Sequence, residues 1–187
     1  MVEKKLVPAL RFPEFEGEWS CLKLSHISTE VGYGIGSSAV EFDGLNQYLR
    51  ITDIDETSNQ FTPKPLTSPE GNIDKKYYLQ KGDIVFARTG ASVGKSYIYD
   101  EKDGVIVFAG FLIKFSIIKA EPKFVFYNTL TSKYWKWVQV MSMRSGQPGL
   151  NAEELKSLKI SLPSLPEQQK IASFLTSCLL YTSDAAD

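Results

Sequence analysis

The sequence predicts an α+β fold, in which a β-rich domain with a few short helices is followed by the start of a long helix. Three observations support this prediction. Short β-type runs separated by turns rich in glycine and proline fill much of the chain up to residue 115. Helical patterns become prominent only after residue 120. Residues 164–167 (SLPE) then form a capping-box pattern at the beginning of a longer helix.

The strand predictions centre on residues 79–100, where a turn, an apolar strand, a glycine-rich loop and a second strand follow one another. Gly82 and Asp83 supply the turn, and residues 84–87 (IVFA) have the pattern of a buried strand. Residues 96–99 return to β-type side chains. The other predicted strands are residues 48–52, 105–108, 111–115 and 158–162.

Two helices are predicted before the long one. Pro122 occupies the first turn of a helix predicted over residues 121–131, a position where proline is tolerated. Asn151 and Glu154 form a capping-box pattern for a short helix over residues 151–157.

Two earlier segments are less regular. Residues 21–31 carry apolar side chains at mixed spacing, which fits either a short helix or a bent strand. Residues 53–76 are polar and contain several prolines, so we expect a loop there. A loop of this length inside a compact domain is usually functional.

Composition excludes several classes of function. The formal net charge is -1, so a nucleic-acid partner would have to be bound by local groups of basic residues. Cys21 and Cys178 are the only cysteines and His26 is the only histidine, so a metal cluster is not expected. Neither a membrane-spanning apolar run nor a signal-peptide pattern stands out, which predicts a cytoplasmic protein.

The glycine-rich loop at residues 88–96 (RTGASVGKS) is the first candidate for a polyanion-binding site. Glycine lets the backbone approach a ligand closely, and basic and hydroxyl side chains donate hydrogen bonds to phosphates and base edges. The candidate DNA-binding residues of this loop are Arg88, Thr89, Gly90, Ser92 and Lys95.

Two further loops carry candidate DNA-binding residues. Tyr33 and Ser37 lie in the glycine-rich segment 32–38. Arg144, Ser145 and Gln147 lie in the third glycine-rich loop, and arginine and glutamine are the side chains that pair with guanine and adenine edges. The loops at 32–38 and 53–76 could carry more of the sequence specificity than the loop at 88–96, and the sequence leaves this choice open.

Residues 90–96 also resemble a nucleotide-binding Walker A loop. Only three residues separate Gly90 from Gly94, whereas the Walker A pattern requires four. Such a loop must also open a helix, but residues 97–99 have the pattern of a strand. A nucleotide-binding enzyme is therefore a minor alternative, and a plain surface turn is another.

Three motifs together resemble the specificity subunit of type I restriction-modification systems. They are residues 8–19 (PALRFPEFEGEW), residues 82–95 (GDIVFARTGASVGK) and residues 145–172 (SGQPGLNAEELKSLKISLPSLPEQQKIA). The resemblance implies a non-catalytic, DNA-reading target recognition domain at residues 1–163. It also implies that residues 164–177 begin the conserved spacer helix, within which the chain is truncated. Residues 178–187 (CLLYTSDAAD) resemble a translated sequencing adapter and are expected to be non-native.

The resemblance also implies the partners. They are double-stranded DNA, methyltransferase subunits and ATP-driven restriction subunits, with no membrane. No cofactor is expected in this chain, because S-adenosylmethionine, ATP and magnesium would belong to the partner subunits. The residues expected to dock partners are Glu167, Gln168, Ile171, Phe174 and Leu175. A protein-docking module without intrinsic DNA binding is the main alternative function.

Overall fold

The computed structural model describes residues 7–143 and 148–184, with the backbone alone for residues 180–184. The strands within these ranges are β1 (Ser20–Lys23), β2 (Ser28–Tyr33), β3 (Ala39–Glu41), β4 (Gln47–Leu49), β5 (Thr67–Pro69), β6 (Asp83–Ala87), β7 (Ser96–Ile98), β8 (Ile106–Phe108), β9 (Leu112–Ile117) and β10 (Lys159–Leu162). The helices are α1 (Leu24–Ile27), α2 (Pro122–Thr129), α3 (Ser132–Ser142), α4 (Ala152–Lys156) and α5 (Leu165–Asp184). This mixture of strands and helices confirms the α+β prediction.

The centre of the fold is a four-stranded antiparallel sheet in the order β2-β9-β6-β7. The strand predicted at residues 84–87 is β6, and all five residues of β6 are buried. Neighbouring side chains of a strand point to opposite faces of the sheet. Ile84 and Phe86 accordingly enter one apolar cluster, while Val85 and Ala87 enter another. The sheet therefore has a hydrophobic core on each face.

Helices cover the first face of the sheet. Phe124 and Val125 of α2 pack in the same cluster as Tyr134 and Val138 of α3. The Tyr134 hydroxyl donates a hydrogen bond to the Gly94 carbonyl at 2.6 Å, and burial of this phenol raises its pKa. The helical layer is thus bonded directly to the loop between β6 and β7.

The second face is covered by β4 and β8, which pair in parallel, and by the loops around them. Leu49 of β4 and Phe108 of β8 pack with Tyr97 and Leu112 of the central sheet. This smaller core supports the end of β4 and the turn between β8 and β9.

The amino-terminal segment is attached to the last helix. β1 pairs with β10, with Ser20 opposite Leu162. The Arg11 guanidinium donates through Nε and Nη2 to the two carboxylate oxygens of Glu167, both at 2.7 Å, and the Glu167 side chain is fully buried. The Phe12 ring meets the Phe174 ring edge-on, with the centroids 5.8 Å apart. The segment before β1 is therefore held against α5.

Several predicted elements differ in detail. Residues 21–31 contain both alternatives, since α1 interrupts the chain between β1 and β2. The strand predicted at 48–52 ends at Leu49, and Ile51–Asp53 is a 3₁₀ turn because the Asp53 carboxylate accepts a hydrogen bond from the Arg50 backbone N–H. The loop predicted at 53–76 contains β5, which pairs with β3. The predicted long helix is α5, which continues past Cys178 to Asp184.

We predict that Arg11→Ala lowers the melting temperature, because it leaves a buried carboxylate at Glu167 without its charged partner. Lys170→Ala is the matched control. Lys170 also joins α5 to the amino-terminal segment, through Glu14, but both of those side chains are nearly half exposed. Thermal unfolding followed by circular dichroism should show a much larger decrease for Arg11→Ala, and equal decreases for the two variants would contradict the prediction.

Candidate nucleic-acid interface

The glycine-rich loop at residues 88–95 is a hairpin connection between β6 and β7. The Ala87 backbone N–H donates to the Lys95 carbonyl at 2.8 Å, and the Gly94 N–H donates to the Ala87 carbonyl at 2.9 Å. Gly90 and Gly94 both have positive φ, at 77° and 86°, a conformation that glycine adopts readily. Because Ser96 begins a strand, the loop does not have the helix of a P-loop, which speaks against the nucleotide-binding alternative.

Lys95 was expected to contact DNA, but the structure gives it an interior role. Its side chain is only 4% exposed. Its Nζ donates to the Ile54 carbonyl at 2.9 Å and to the Glu56 carboxylate at 2.5 Å. The Ser92 hydroxyl also points to Glu56, at 3.4 Å. Lys95 therefore ties the hairpin to the loop after β4, and its charge is already paired.

Arg88 and Tyr33 come together as a stacked pair. The Arg88 guanidinium carbon lies 5.0 Å from the centroid of the Tyr33 ring, within the range of a cation–π contact. The Tyr33 hydroxyl accepts a hydrogen bond from the Ala152 N–H at 3.1 Å. Within the described part of the chain, no carboxylate pairs with Arg88. A half-buried guanidinium with unused N–H donors is suited to an anionic or hydrogen-bond-accepting ligand.

The end of the third predicted loop, at Gly149 and Leu150, contacts the hairpin loop. Thr89 forms an antiparallel bridge with Gly149, and the Leu150 N–H donates to the Arg88 carbonyl at 2.9 Å. The Gly149 N–H donates to the Ser142 carbonyl at 3.1 Å. On one side of segment 144–147, Gly149 therefore pairs with the hairpin loop. On the other side, Ser142 is bonded to Gly149. Arg144, Ser145 and Gln147 themselves lie outside the described residues and stay predictions.

Arg88 also lines a groove of about 650 Å³ on the second face of the sheet. The groove lies between the loop at residues 35–39, the end of β4 with its 3₁₀ turn, and the turn at residues 109–111. Ser37 is on its wall, and the Ser37 hydroxyl donates to the Glu70 carbonyl at 2.6 Å. The Tyr48 hydroxyl donates to the carbonyls of Ile35 and Ser37, at 3.0 and 2.9 Å, and so fixes this wall.

Among the groove residues that sequence reasoning missed, Arg50 and Phe111 have the side chains best suited to contact a ligand. Arg50 follows β4 directly and pairs with buried Asp53 through two hydrogen bonds. Phe111 is 62% exposed at the rim, and its carbonyl accepts a hydrogen bond from the Arg88 N–H. The spacing of Arg50 and Asp53 directly after a strand was a sequence signal that could have identified Arg50. No such signal marks Phe111, because its exposure depends on the turn between β8 and β9.

The groove offers two guanidinium groups to a ligand, although the charge of Arg50 is offset by its ion pair with buried Asp53. Arg50 and Arg88 both line it, and none of the described lining residues carries a carboxylate. The net charge of the whole chain is -1, so this local arrangement differs from the average. Positive groups that line a concave surface attract polyanions even when the whole protein is nearly neutral.

The predicted docking residues on α5 divide into two sets. Glu167 is fully buried against Arg11, and Gln168 is 4% exposed. The Gln168 side chain donates to the Pro163 carbonyl at 2.8 Å and accepts from the Glu121 N–H at 2.9 Å. These two side chains therefore hold α5 to its own chain, and in this arrangement neither is accessible to a partner.

Ile171, Phe174 and Leu175 lie farther along α5. Phe174 is 55% exposed, and Ile171 and Leu175 are half-buried. These three side chains remain accessible for docking. In the part of the chain that the structure describes, no helix is long and apolar enough to cross a membrane. The same residues contain no group of three or more side chains suited to hold a metal ion.

Comparison with known proteins shows the family. The model of the type I restriction modification DNA specificity domain matches residues 40–183, well over half of the chain. The chain belongs to this family. This match confirms the resemblance to type I specificity subunits that the sequence motifs indicated.

One curated relative of this specificity domain is named as the MjaX type I restriction enzyme specificity subunit of Methanocaldococcus jannaschii. It is 32% identical over 106 residues, which cover 54% of this chain and 25% of the relative. The chain thus spans about a quarter of that protein's length.

Solved structures share the fold of this specificity domain. The HsdS subunit from Thermoanaerobacter tengcongensis has a TM-score of 0.59 at 16% identity, covering 95% of this chain and 41% of that one. The S subunit from M. genitalium has a TM-score of 0.60 at 14% identity, covering 92% and 41%. A chain from a study of complex assembly and conformational transition in a type I R-M system has a TM-score of 0.65 at 16% identity, covering 95% and 42%.

We predict that Gly94→Ala destabilises the specificity domain more than Gly90→Ala does. Both glycines have positive φ, but a Cβ at Gly94 would lie 2.7 Å from the two Cγ atoms of Val138, whereas a Cβ at Gly90 meets nothing within 4 Å. The clash should add about 1–3 kcal/mol to the loss caused by backbone strain alone. Urea unfolding of both variants measures the difference, and equal losses would show that Val138 does not constrain the loop.

Proposed function

We propose that this chain is a DNA target recognition domain and that the groove lined by Arg50 and Arg88 faces the DNA. The observation that carries the proposal is the pair of arginines in one groove without a lining carboxylate, in a member of the type I specificity family. Guanidinium groups donate to phosphates and to guanine edges, so such a groove suits both affinity and base reading.

The parts of the groove suggest different roles. Within the described residues the Arg88 guanidinium donates no hydrogen bond, and it is held in place through its contact with Tyr33. The backbone of the hairpin around Thr89 and Gly90 is suited to phosphate contacts, which position a protein on the duplex. The Ser37 hydroxyl already donates to the Glu70 carbonyl and supports the groove wall. Exposed Phe111 at the rim offers an apolar surface to a thymine methyl group or a base face.

The wider assembly is part of the same proposal. We assign no catalytic step and no cofactor to this chain, and we expect methyltransferase and restriction subunits to supply both. The accessible side chains Ile171, Phe174 and Leu175 on α5 are suited to contact such a protein partner, because exposed apolar residues on one helix side favour association. We further propose that the target recognition domain ends near Pro163, where β10 gives way to α5.

Binding to a randomised duplex pool tests the proposed function. The 187-residue chain is incubated with the pool, bound duplexes are sequenced, and fluorescence anisotropy is measured across a salt series. Enrichment of a short sequence, with affinity decreasing as salt increases, is the expected result. A folded chain that fails to bind even at low salt would overturn the proposal and favour the protein-docking module.

We predict that Arg88→Ala weakens binding to the enriched duplex by about tenfold or more, the range of one good base contact. Lys119→Ala is the matched control, because it also removes one positive charge. Lys119 is exposed and follows the end of β9 opposite to Phe111 and the groove. Its affinity should stay within about twofold of the unmodified chain, as expected for a distant screened charge. Equal losses for both variants would indicate that only the overall charge matters.

A further inference from the structure

We propose that Arg50, oriented by Asp53, is a guanine-reading side chain of the groove. This inference rests on the proposed DNA-binding function and makes it more specific, because it assigns one base and one residue. It comes from the geometry around the 3₁₀ turn that follows β4, where Arg50 lines the groove beside Ser37 and Arg88.

The Asp53 carboxylate fixes the plane of the Arg50 guanidinium. Arg50 Nε donates to Asp53 Oδ2 at 2.8 Å, and Arg50 Nη2 donates to Asp53 Oδ1 at 2.7 Å. Asp53 is 1% exposed and also accepts from the Arg50 backbone N–H at 2.9 Å. The carboxylate is therefore itself held rigidly, and the guanidinium cannot rotate without breaking two hydrogen bonds.

One edge of the guanidinium stays available for a ligand. A guanidinium has five N–H donors, and Asp53 uses one on Nε and one on Nη2. Within the described residues, Nη1 donates no hydrogen bond. One N–H from each Nη atom therefore forms a parallel pair, and the Arg50 side chain is 30% exposed. Two parallel donors on a fixed guanidinium that lines the groove form a bidentate donor.

Guanine is the base whose edge fits this donor. In the major groove, guanine presents two neighbouring acceptors, N7 and O6, whereas adenine presents N7 beside an N–H donor. The negative charge of Asp53 offsets the charge of Arg50, so general attraction to phosphates is reduced while the directed hydrogen bonds remain. Because the side chain is already ordered, binding a base costs little additional side-chain entropy.

The alternative is that the pair only stabilises the 3₁₀ turn at Ile51–Asp53. That role uses the edge formed by Nε and Nη2 and requires no hydrogen bond from the edge formed by Nη1 and Nη2. A test must therefore measure whether the loss of affinity on removing one guanine acceptor depends on the presence of Arg50. A measurement of overall affinity alone is insufficient.

The experiment uses the 187-residue chain and the duplex enriched from the random pool. Each guanine is replaced in turn by 7-deazaguanine, which removes the N7 acceptor but keeps base pairing. At one guanine, we expect the unmodified chain to lose roughly 5-fold or more in affinity, because one of the two hydrogen bonds of the bidentate contact is removed. Arg50→Ala should lose a comparable factor and become insensitive to 7-deazaguanine at that position alone.

Arg50→Lys keeps the charge and can still pair with Asp53, but it cannot present two parallel N–H groups. It should fold like the unmodified chain and show the same loss of sensitivity, so the test does not depend on whether Arg50→Ala is stable. Arg88→Ala serves as the positional control and should keep the response at the guanine assigned to Arg50.

The failures of the two proposals are distinguishable. Three results would each overturn the role of Arg50. The first is salt-dependent binding without sequence enrichment, and the second is an enriched sequence without guanine. The third is that the Arg50 variants respond to every 7-deazaguanine as the unmodified chain does. All three results leave the DNA-binding function in place. Failure of the folded, unmodified chain to bind any duplex at low salt would overturn the DNA-binding function and the role of Arg50 with it.

Discussion

The burial of β6 on both faces is the constraint on which the rest of the structure depends. Ile84 and Phe86 belong to the core beneath the helices, and Val85 and Ala87 belong to the core beneath β4 and β8. A shift of one residue in the register would exchange these two sets, so the register is strongly specified. The hairpin loop that follows is thereby fixed relative to both layers. Arg88 enters the groove because the strand before it has only one way to pack.

Electrostatics separates the basic residues that support the fold from those that are available to a ligand. Lys95 is buried, with its charge paired to Glu56, and Arg11 is committed to Glu167. Arg88 has a ring beneath it and no carboxylate partner in the described chain, and Arg50 uses only part of its hydrogen-bonding capacity. A sequence motif rich in cations therefore does not indicate which cation is accessible. Burial and pairing decide this, residue by residue.

The sequence predicted those parts of the structure that depend on local patterns. The strand at 84–87, the proline-started α2 and the capping box of α4 follow from spacing within a few residues. Residues in different loops were harder to place. The contact of Tyr33 with Arg88 was not predictable, because it requires the pairing of β2 with β9 and of β9 with β6. The pairing of Lys95 with Glu56 was also not predictable, because Glu56 lies 39 positions earlier in the sequence.

The pairing of β1 with β10 has a consequence for the order in which the chain folds. Ser20 meets Leu162, so the first strand has no partner in this structure until most of the domain has been synthesised. The central sheet uses residues 28–117 and is complete earlier. During translation β1 can pair with β10 only after residue 162 has been added, and an unpaired strand is open to incorrect pairing. The contact between Arg11 and Glu167 has the same requirement, because it joins the amino-terminal segment to a residue of α5 that is synthesised still later than β10.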